Sequence, residues 1–167
     1  MDPEVKARIL EDINNNIGIV HKICRVYFPY DQEERGDLFQ EILYQLWRSY
    51  SSFDGRSKFS TWMYRVALNT AVTSVRRASR RPRGEPIHER HAEIAAGEDA
   101  IRDEQVQRLY AAIGTLGKID RAIVLLYLDD HSYKEIASTT GLSEGNISVR
   151  LVRIRKALKE MLTADTP

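Results

Sequence analysis

The chain has 167 residues and a single cysteine, Cys24, so no internal disulfide can form. No apolar run approaches the ~18 residues that a membrane span requires, which excludes insertion through a membrane helix. The first ten residues, MDPEVKARIL, lack the basic-then-apolar order of a secretory leader. These absences predict a soluble protein of a reducing cytoplasm. No Gly-rich phosphate loop, HExxH pair or nucleophile elbow is present, so no catalytic residues and no cofactor are expected. His21-x-x-Cys24 offers only two ligands, too few to close a zinc site; Cys24 is expected in the core, and no metal is expected. Strand signals are scarce too, because no long period-two alternation is bounded by turn residues. The chain is long enough for one ordinary domain or two small ones.

Charge is scarce only in sum. Twenty-five basic and 24 acidic side chains leave a net +1, yet they are sorted along the chain. From Gly55 to Gly84 stand eight basic residues, Arg56, Lys58, Arg65, Arg76, Arg77, Arg80, Arg81 and Arg83, and no acid. From Glu85 to Glu104 the sign reverses, with seven acids against Arg90 and Arg102. A second basic cluster, Arg150, Arg153, Arg155, Lys156 and Lys159, lies near the C-terminus. Two cationic segments flank an anionic one.

Helical spacing recurs almost everywhere, which predicts an all-α protein. Asp2 as N-cap with Pro3 at the first helical position opens one helix; Ile17, Val20, Ile23 and Tyr27 line a second, closed by Pro29. Leu38, Ile42, Leu46 and Trp47 recur at three- and four-residue steps in a third, from about Glu33 to Ser52. A fourth starts near Ser57, carries Phe59, Trp62, Val66, Asn69 and Val75, and stops before Pro82. Charge, two prolines and two glycines between Pro82 and Asp99 read as a flexible connector, in which His88 and His91 are solvated. Beyond it Val106, Leu109, Tyr110 and Ile113 suggest one helix and Ile119 to Leu128 another, followed by two short helices, Tyr133 to Thr139 and Glu144 to about Met161. The expected organisation is two small helical domains, 1–81 and 104–167, joined by a linker over 82–103 that leaves their spacing unset in the free chain.

The sharpest local signal is SYKEIASTTGLSEGNIS, residues 132–148. Ser132 and Glu135 can form a capping box, small Ala137 lets two helices approach, Gly141 suits a left-handed turn and Ser143 can cap the next helix. Ile136, Leu142, Ile147 and Leu151 supply a shared core. This is the pattern of a helix-turn-helix, whose second helix enters the major groove. Ser143, Glu144, Asn146, Ser148, Arg150, Arg153 and Lys156 are placed to contact bases or phosphates; an ordinary helical hairpin is the bland alternative.

In the second signal, SFDGRSKFSTWMYRVALNTAVTSVRR, aromatics interleave with arginines. Unpaired bases stack on aromatic faces while cations hold their phosphates, so the composition suits single-stranded nucleic acid; a buried aromatic stripe on a basic helix would also produce it. The third segment, Asp37-Leu38-Phe39-Gln40-Glu41 followed by Leu46-Trp47, is on its own an amphipathic helix with acids near its positive end.

Taken in order, these segments resemble the sigma factors of bacterial RNA polymerase, in particular the short two-domain extracytoplasmic-function (ECF) group of the sigma-70 family. DLFQEILYQLWRSYSSF is similar to the segment that docks on the clamp helices of the polymerase largest subunit. FDGRSKFSTWMYRVALNTAVTSVRR is similar to the promoter-melting and minus-ten segment, and SYKEIASTTGLSEGNISVRLVRIRKAL to the domain that reads the minus-thirty-five element. The resemblance implies that Asp37, Gln40, Glu41, Leu46 and Trp47 bind core polymerase. It implies a minus-ten strand site of Phe53, Asp54, Arg56, Lys58, Phe59, Trp62, Arg65, Asn69, Arg76, Arg77 and Arg80. The implied partners are core polymerase, through its clamp helices and flap region, and promoter DNA, with an anti-sigma factor as a further partner common in the group. Asn146 and Ser148 stand where the group often has threonine and lysine, and Val72, Thr73 and Ser74 where it often has a small apolar residue, an aspartate and an aromatic. The alternatives are a stand-alone helix-turn-helix regulator, which has no need of the aromatic and arginine block, and a recombinase or nuclease. The latter needs a carboxylate metal cluster or an activated nucleophile, and Ser57, Ser60 and Ser74 have no evident activating base.

Overall fold

A computed structural model describes residues 2–80 and 104–164. Among them are eight α-helices and no strand: α1 (Pro3–Asn15), α2 (Ile17–Tyr27), α3 (Gln32–Ser49), α4 (Phe59–Arg80), α5 (Glu104–Gly114), α6 (Lys118–Leu128), α7 (Tyr133–Thr140) and α8 (Glu144–Ala164). The chain is all-α, as expected. The linker expected over 82–103, with His88 and His91, lies outside the described residues.

Local chemistry sets most helix ends. The Asp2 carboxylate accepts from the Glu4 backbone N–H and Pro3 occupies the first turn; Asp31 accepts from Glu34 N–H at the start of α3. The third helix is shorter than its periodicity suggests, because the chain tightens into a 3-10 turn at Tyr50–Ser52. The last helix is longer than expected, 21 residues, with Ile147, Leu151, Ile154 and Leu158 buried along one side. At the end of α6 the His131 N–H bonds Leu126 C=O and the Asp130 N–H bonds Tyr127 C=O, with Asp130 left-handed at φ 61°. That is a Schellman stop in which aspartate takes the place usual for glycine.

In the N-terminal half Ile9, Val20, Ile23, Leu38, Ile42, Leu46, Met63 and Ala67 are wholly buried between α1, α2, α3 and α4. In the C-terminal half Ile113, Ile123, Leu125, Leu126, Ile136 and Ile147 play the same part. Each large aliphatic side chain of these sets contributes about 1.5–3 kcal/mol by leaving water. Cys24 is buried among them, and burial pushes its thiol pKa up to about 12.

The two halves are packed together, against the expectation of an unset spacing. Lys22 on α2 reaches Asp129 at the end of α6, with Nζ 2.6 and 2.7 Å from the two carboxylate oxygens and 3.3 Å from the Tyr64 hydroxyl of α4. The Tyr64 hydroxyl in turn donates to Asp129. Tyr27 donates to Lys118 C=O at 2.9 Å, Arg121 lies over the Tyr27 ring, and His131 meets the Tyr64 ring edge-on. Gly114 sits so close to Pro29 that a Cβ there would stand 3.3 Å from the proline ring. Complementary polar groups and a close apolar approach hold the halves in one arrangement, which a reading of local periodicity has no means of detecting.

Candidate polymerase and nucleic-acid interfaces

Helix α3 buries Leu38, Ile42 and Leu46 against α4 and turns Asp37, Gln40 and Tyr44 to solvent, with Glu41 half-buried between them. Leu46 corrects the sequence reading. It is 0% exposed, so it is core and not contact surface, while its neighbour Trp47 is half-buried. Sequence reasoning missed Tyr44, 57% exposed, although it stands one turn beyond Gln40 and Glu41 in the same stripe. Glu41 is steadied by the Gln45 side-chain amide at 2.8 Å. Between α3 and α4 lies a shallow depression of about 190 Å³ lined by Glu34, Asp37, Leu38, Glu41, Ser74 and Arg77.

The loop between α3 and α4 and the start of α4 bring four aromatic rings together. Phe53, Phe59 and Trp62 are mutually in contact at centroid separations of 5.4–5.5 Å, and Tyr50 closes the group at 6.2–6.4 Å from each. All four are half-buried, so they form a ledge that is partly packed and partly open. Half-burial makes the group neither a closed core stripe nor a free surface. The loop beside them is shaped by Asp54, which accepts from the Arg56 N–H at 3.0 Å and pairs with the Arg56 guanidinium at 3.2 Å, and by Gly55 at φ 75°. Lys58 is exposed at its far end.

Along α4, Trp62, Arg65, Asn69, Arg76 and Arg80 recur at helical spacing and fall on one side, and all but Trp62 are exposed. At 1.5 Å per residue this stripe is about 27 Å long. Arg77 lies elsewhere, in the acidic depression against α3. The structure thus sets on different faces two neighbouring arginines that the resemblance groups in one strand site.

In the C-terminal half the capping box forms as expected. Glu135 N–H donates to Ser132 Oγ at 3.1 Å, and the Ser132 N–H donates to Glu135 Oε1 at 3.3 Å. Hydrogen bonding from the Ser132 backbone, then from its side chain, together with the charges of His131 and Lys58, outweighs desolvation and lowers the Glu135 pKa. Gly141 adopts φ 78° in the turn, and Ser143 accepts from the Asn146 N–H at 3.1 Å to open α8. Glu144, Asn146, Arg153 and Lys156 are exposed, while Ser148 is half-buried. Arg150 is engaged within the protein: its Nη1 is 2.9 Å from Asp120 Oδ1, and its Nε donates to Asn146 Oδ1 at 2.9 Å. Among the described residues no group of three or more His, Cys, Asp or Glu could hold a metal ion, and no helix is long and apolar enough to cross a membrane.

The described residues thus combine a polar face on α3, an aromatic ledge leading onto a basic helix, and a helix-turn-helix. Residues 13–81 match sigma-70 region 2 and residues 106–158 match sigma-70 region 4. The RNA polymerase sigma-H factor of Pseudomonas aeruginosa is 30% identical over 156 residues, covering 85% of this chain and 81% of that protein. The ECF RNA polymerase sigma-E factor of Escherichia coli is 31% identical over 151 residues, covering 83% and 79%. The chain therefore belongs to the sigma-70 family, in its ECF group. Its fold is that of the sigma factor RpoE of Bartonella quintana, solved in complex with the anti-sigma factor NepR, with a TM-score of 0.70, 20% identity and coverage of 99% and 100%. CnrH, solved with the cytosolic domain of CnrY, is similar at a TM-score of 0.67 and 21% identity over 96% and 91%. As an ECF sigma factor the protein directs RNA polymerase to promoters, and the match of region 2 counts against a stand-alone regulator.

Proposed function

We propose that residues 1–81 bind core polymerase and melt and capture the minus-ten strand, that 104–167 read the minus-thirty-five duplex, and that 82–103 link them. The observation that carries this reading is the half-buried aromatic ledge of Tyr50, Phe53, Phe59 and Trp62 at the head of the exposed basic stripe of α4. A duplex-only reader has no use for such a ledge. Opening the helix costs a few kcal/mol of stacking and pairing, offset when an exposed base is held in a fitted site. Phe59 and Trp62 offer faces for that base, Asp54, Arg56 and Lys58 form the rim, and Arg65, Asn69, Arg76 and Arg80 follow the backbone.

Asp37, Gln40, Glu41, Tyr44 and Trp47 form the polymerase-facing side of α3, a half-buried aromatic anchor among polar groups that fix register. Upstream, α8 docks in the major groove with Asn146 at base edges, Arg153 and Lys156 on phosphates, and Ser143 and Glu144 at its leading end. The protein carries no chemistry of its own; phosphodiester synthesis belongs to the polymerase, and the two work together in the cytoplasm. An anti-sigma factor that covers the α3 face is a further partner under this reading, in keeping with the NepR and CnrY complexes of the two structural relatives.

Run-off transcription with purified core polymerase across a promoter library tests the whole assignment. Wild type is expected to select start sites. Replacing Phe59 and Trp62 together with alanine is expected to abolish open-complex formation while polymerase binding persists. Unchanged opening by that variant refutes the strand site, and absence of start-site selection by wild type refutes the promoter role.

A further inference from the structure

The outward side of α8 is not uniformly polar. Val149 is 53% and Val152 68% exposed, and Val149 faces away from the buried Ile147, Leu151 and Ile154. Asn146 precedes Val149 by three residues, so the two side chains are neighbours on the helix surface. Gly145 beside them has no atom within 4 Å of its missing Cβ, which leaves the backbone open to close approach. Arg153 and Lys156, both exposed, flank the apolar spot with the charge that attracts a phosphate backbone.

The Asn146 amide is also set in one orientation. Arg150 Nε donates to Asn146 Oδ1 at 2.9 Å, while Asp120 on α6 holds the same guanidinium at 2.9 Å. Arg150 can only donate, so it fixes Oδ1 as the end of the amide turned to it and leaves the NH₂, a donor only, as the end free for a ligand. An apolar surface and a donor side by side form a specific reading head. In the major groove only thymine displays an acceptor, O4, next to a methyl group. Cytosine would set its N4 donor against the Asn146 donor. Adenine would bury its N6 donor against Val149, and guanine offers acceptors without a methyl.

Resting on the reading of α8 as the upstream duplex reader, we propose that this chain specifies a thymine in the promoter's upstream element. Asn146 Nδ2–H donates to thymine O4, Val149 packs on the 5-methyl group, and Arg150 is a positioning residue held by Asp120. Deoxyuridine, which keeps O4 and lacks the methyl, isolates the apolar half of the contact.

The experiment uses holoenzyme assembled from the full chain and core polymerase, with promoters drawn from a randomised upstream library. Each thymine of the selected upstream element is replaced in turn by deoxyuridine. At one thymine, wild type is expected to lose about fourfold in promoter binding, the worth of one buried methyl-sized group. Val149→Ala is expected to bind the thymine and deoxyuridine promoters alike. Asp120→Ala is expected to relax the base preference at that position with its melting temperature and its methyl response retained, which a merely structural role would not produce. Silence of every deoxyuridine replacement, or an unchanged thymine-to-deoxyuridine ratio in Val149→Ala, overturns the proposal while leaving the sigma-factor reading intact. A library that shows no upstream base preference removes the promoter-reading role of α8 and the proposal with it.

Discussion

Among single side chains, Arg76 and Arg77 present the sharpest contrast. Adjacent in sequence, they serve different surfaces: Arg76 lies on the exposed stripe below the aromatic ledge, and Arg77 lines the acidic depression with Asp37 and Glu41. Arg76→Glu is therefore expected to reduce open-complex formation while polymerase affinity holds. Arg77→Glu sets a further negative charge among acids and is expected to weaken core binding. Permanganate footprinting and a binding titration separate the two, and identical profiles would contradict the division. Gly141 gives a second test at this scale. Its φ of 78° has open space around it, so Gly141→Ala should cost about 1–2 kcal/mol through backbone conformation alone, measurable by denaturant unfolding. Gly141, Ser132 and Ser143 were legible from sequence because turns and caps are decided by residues within four positions of each other. Leu46 and Trp47 were not separable, since both belong to a helical stripe wide enough to include core and rim. The Arg150–Asp120 pair is not legible in the sequence, because the partners stand 30 residues apart and nothing local announces them.

At the level of the element, α7 depends on its cap. Ser132→Ala removes an acceptor for the Glu135 N–H and a donor to the Glu135 carboxylate, and is expected to cost about 1 kcal/mol in thermal or chemical unfolding. The same carboxylate makes the helix-turn-helix sensitive to acid. Glu135 has a folded-state pKa below its ordinary 4.5, so its contribution is complete above that value and is lost as pH falls through the lowered folded pKa. Glu135→Gln should accordingly flatten the acid limb of the stability curve, and a limb identical to wild type would argue against the linkage. Helix existence and type could be read from periodicity throughout. The ends of α3 and α8 could not, because a 3-10 turn and a long buried stripe are decided by what packs against them.

For the molecule as a whole, the seam between the halves is the feature that sequence left dark. Lys22, Tyr64 and Asp129 come from α2, α4 and the end of α6, and burial together with the Asp129 hydrogen bond drives the Tyr64 phenol well above its ordinary pKa. Asp129→Ala leaves the Lys22 ammonium and the Tyr64 hydroxyl without their acceptor. It should lower stability by about 1–3 kcal/mol, and a distance probe spanning the halves should broaden. An unchanged melting temperature and distance distribution would show that the seam contributes nothing.

That seam also has an electrostatic side. It brings the head of α7 up to the head of α4, with His131 Nε2 3.5 Å from Thr61 Oγ1 and the Glu135 carboxylate within electrostatic reach of Lys58. The rim of the aromatic ledge in one half thus lies beside the capped head of a helix from the other. Loosening the seam with Asp129→Ala is expected to part these two helix heads, and a rise in affinity for a short single-stranded oligonucleotide in the absence of polymerase would report that separation.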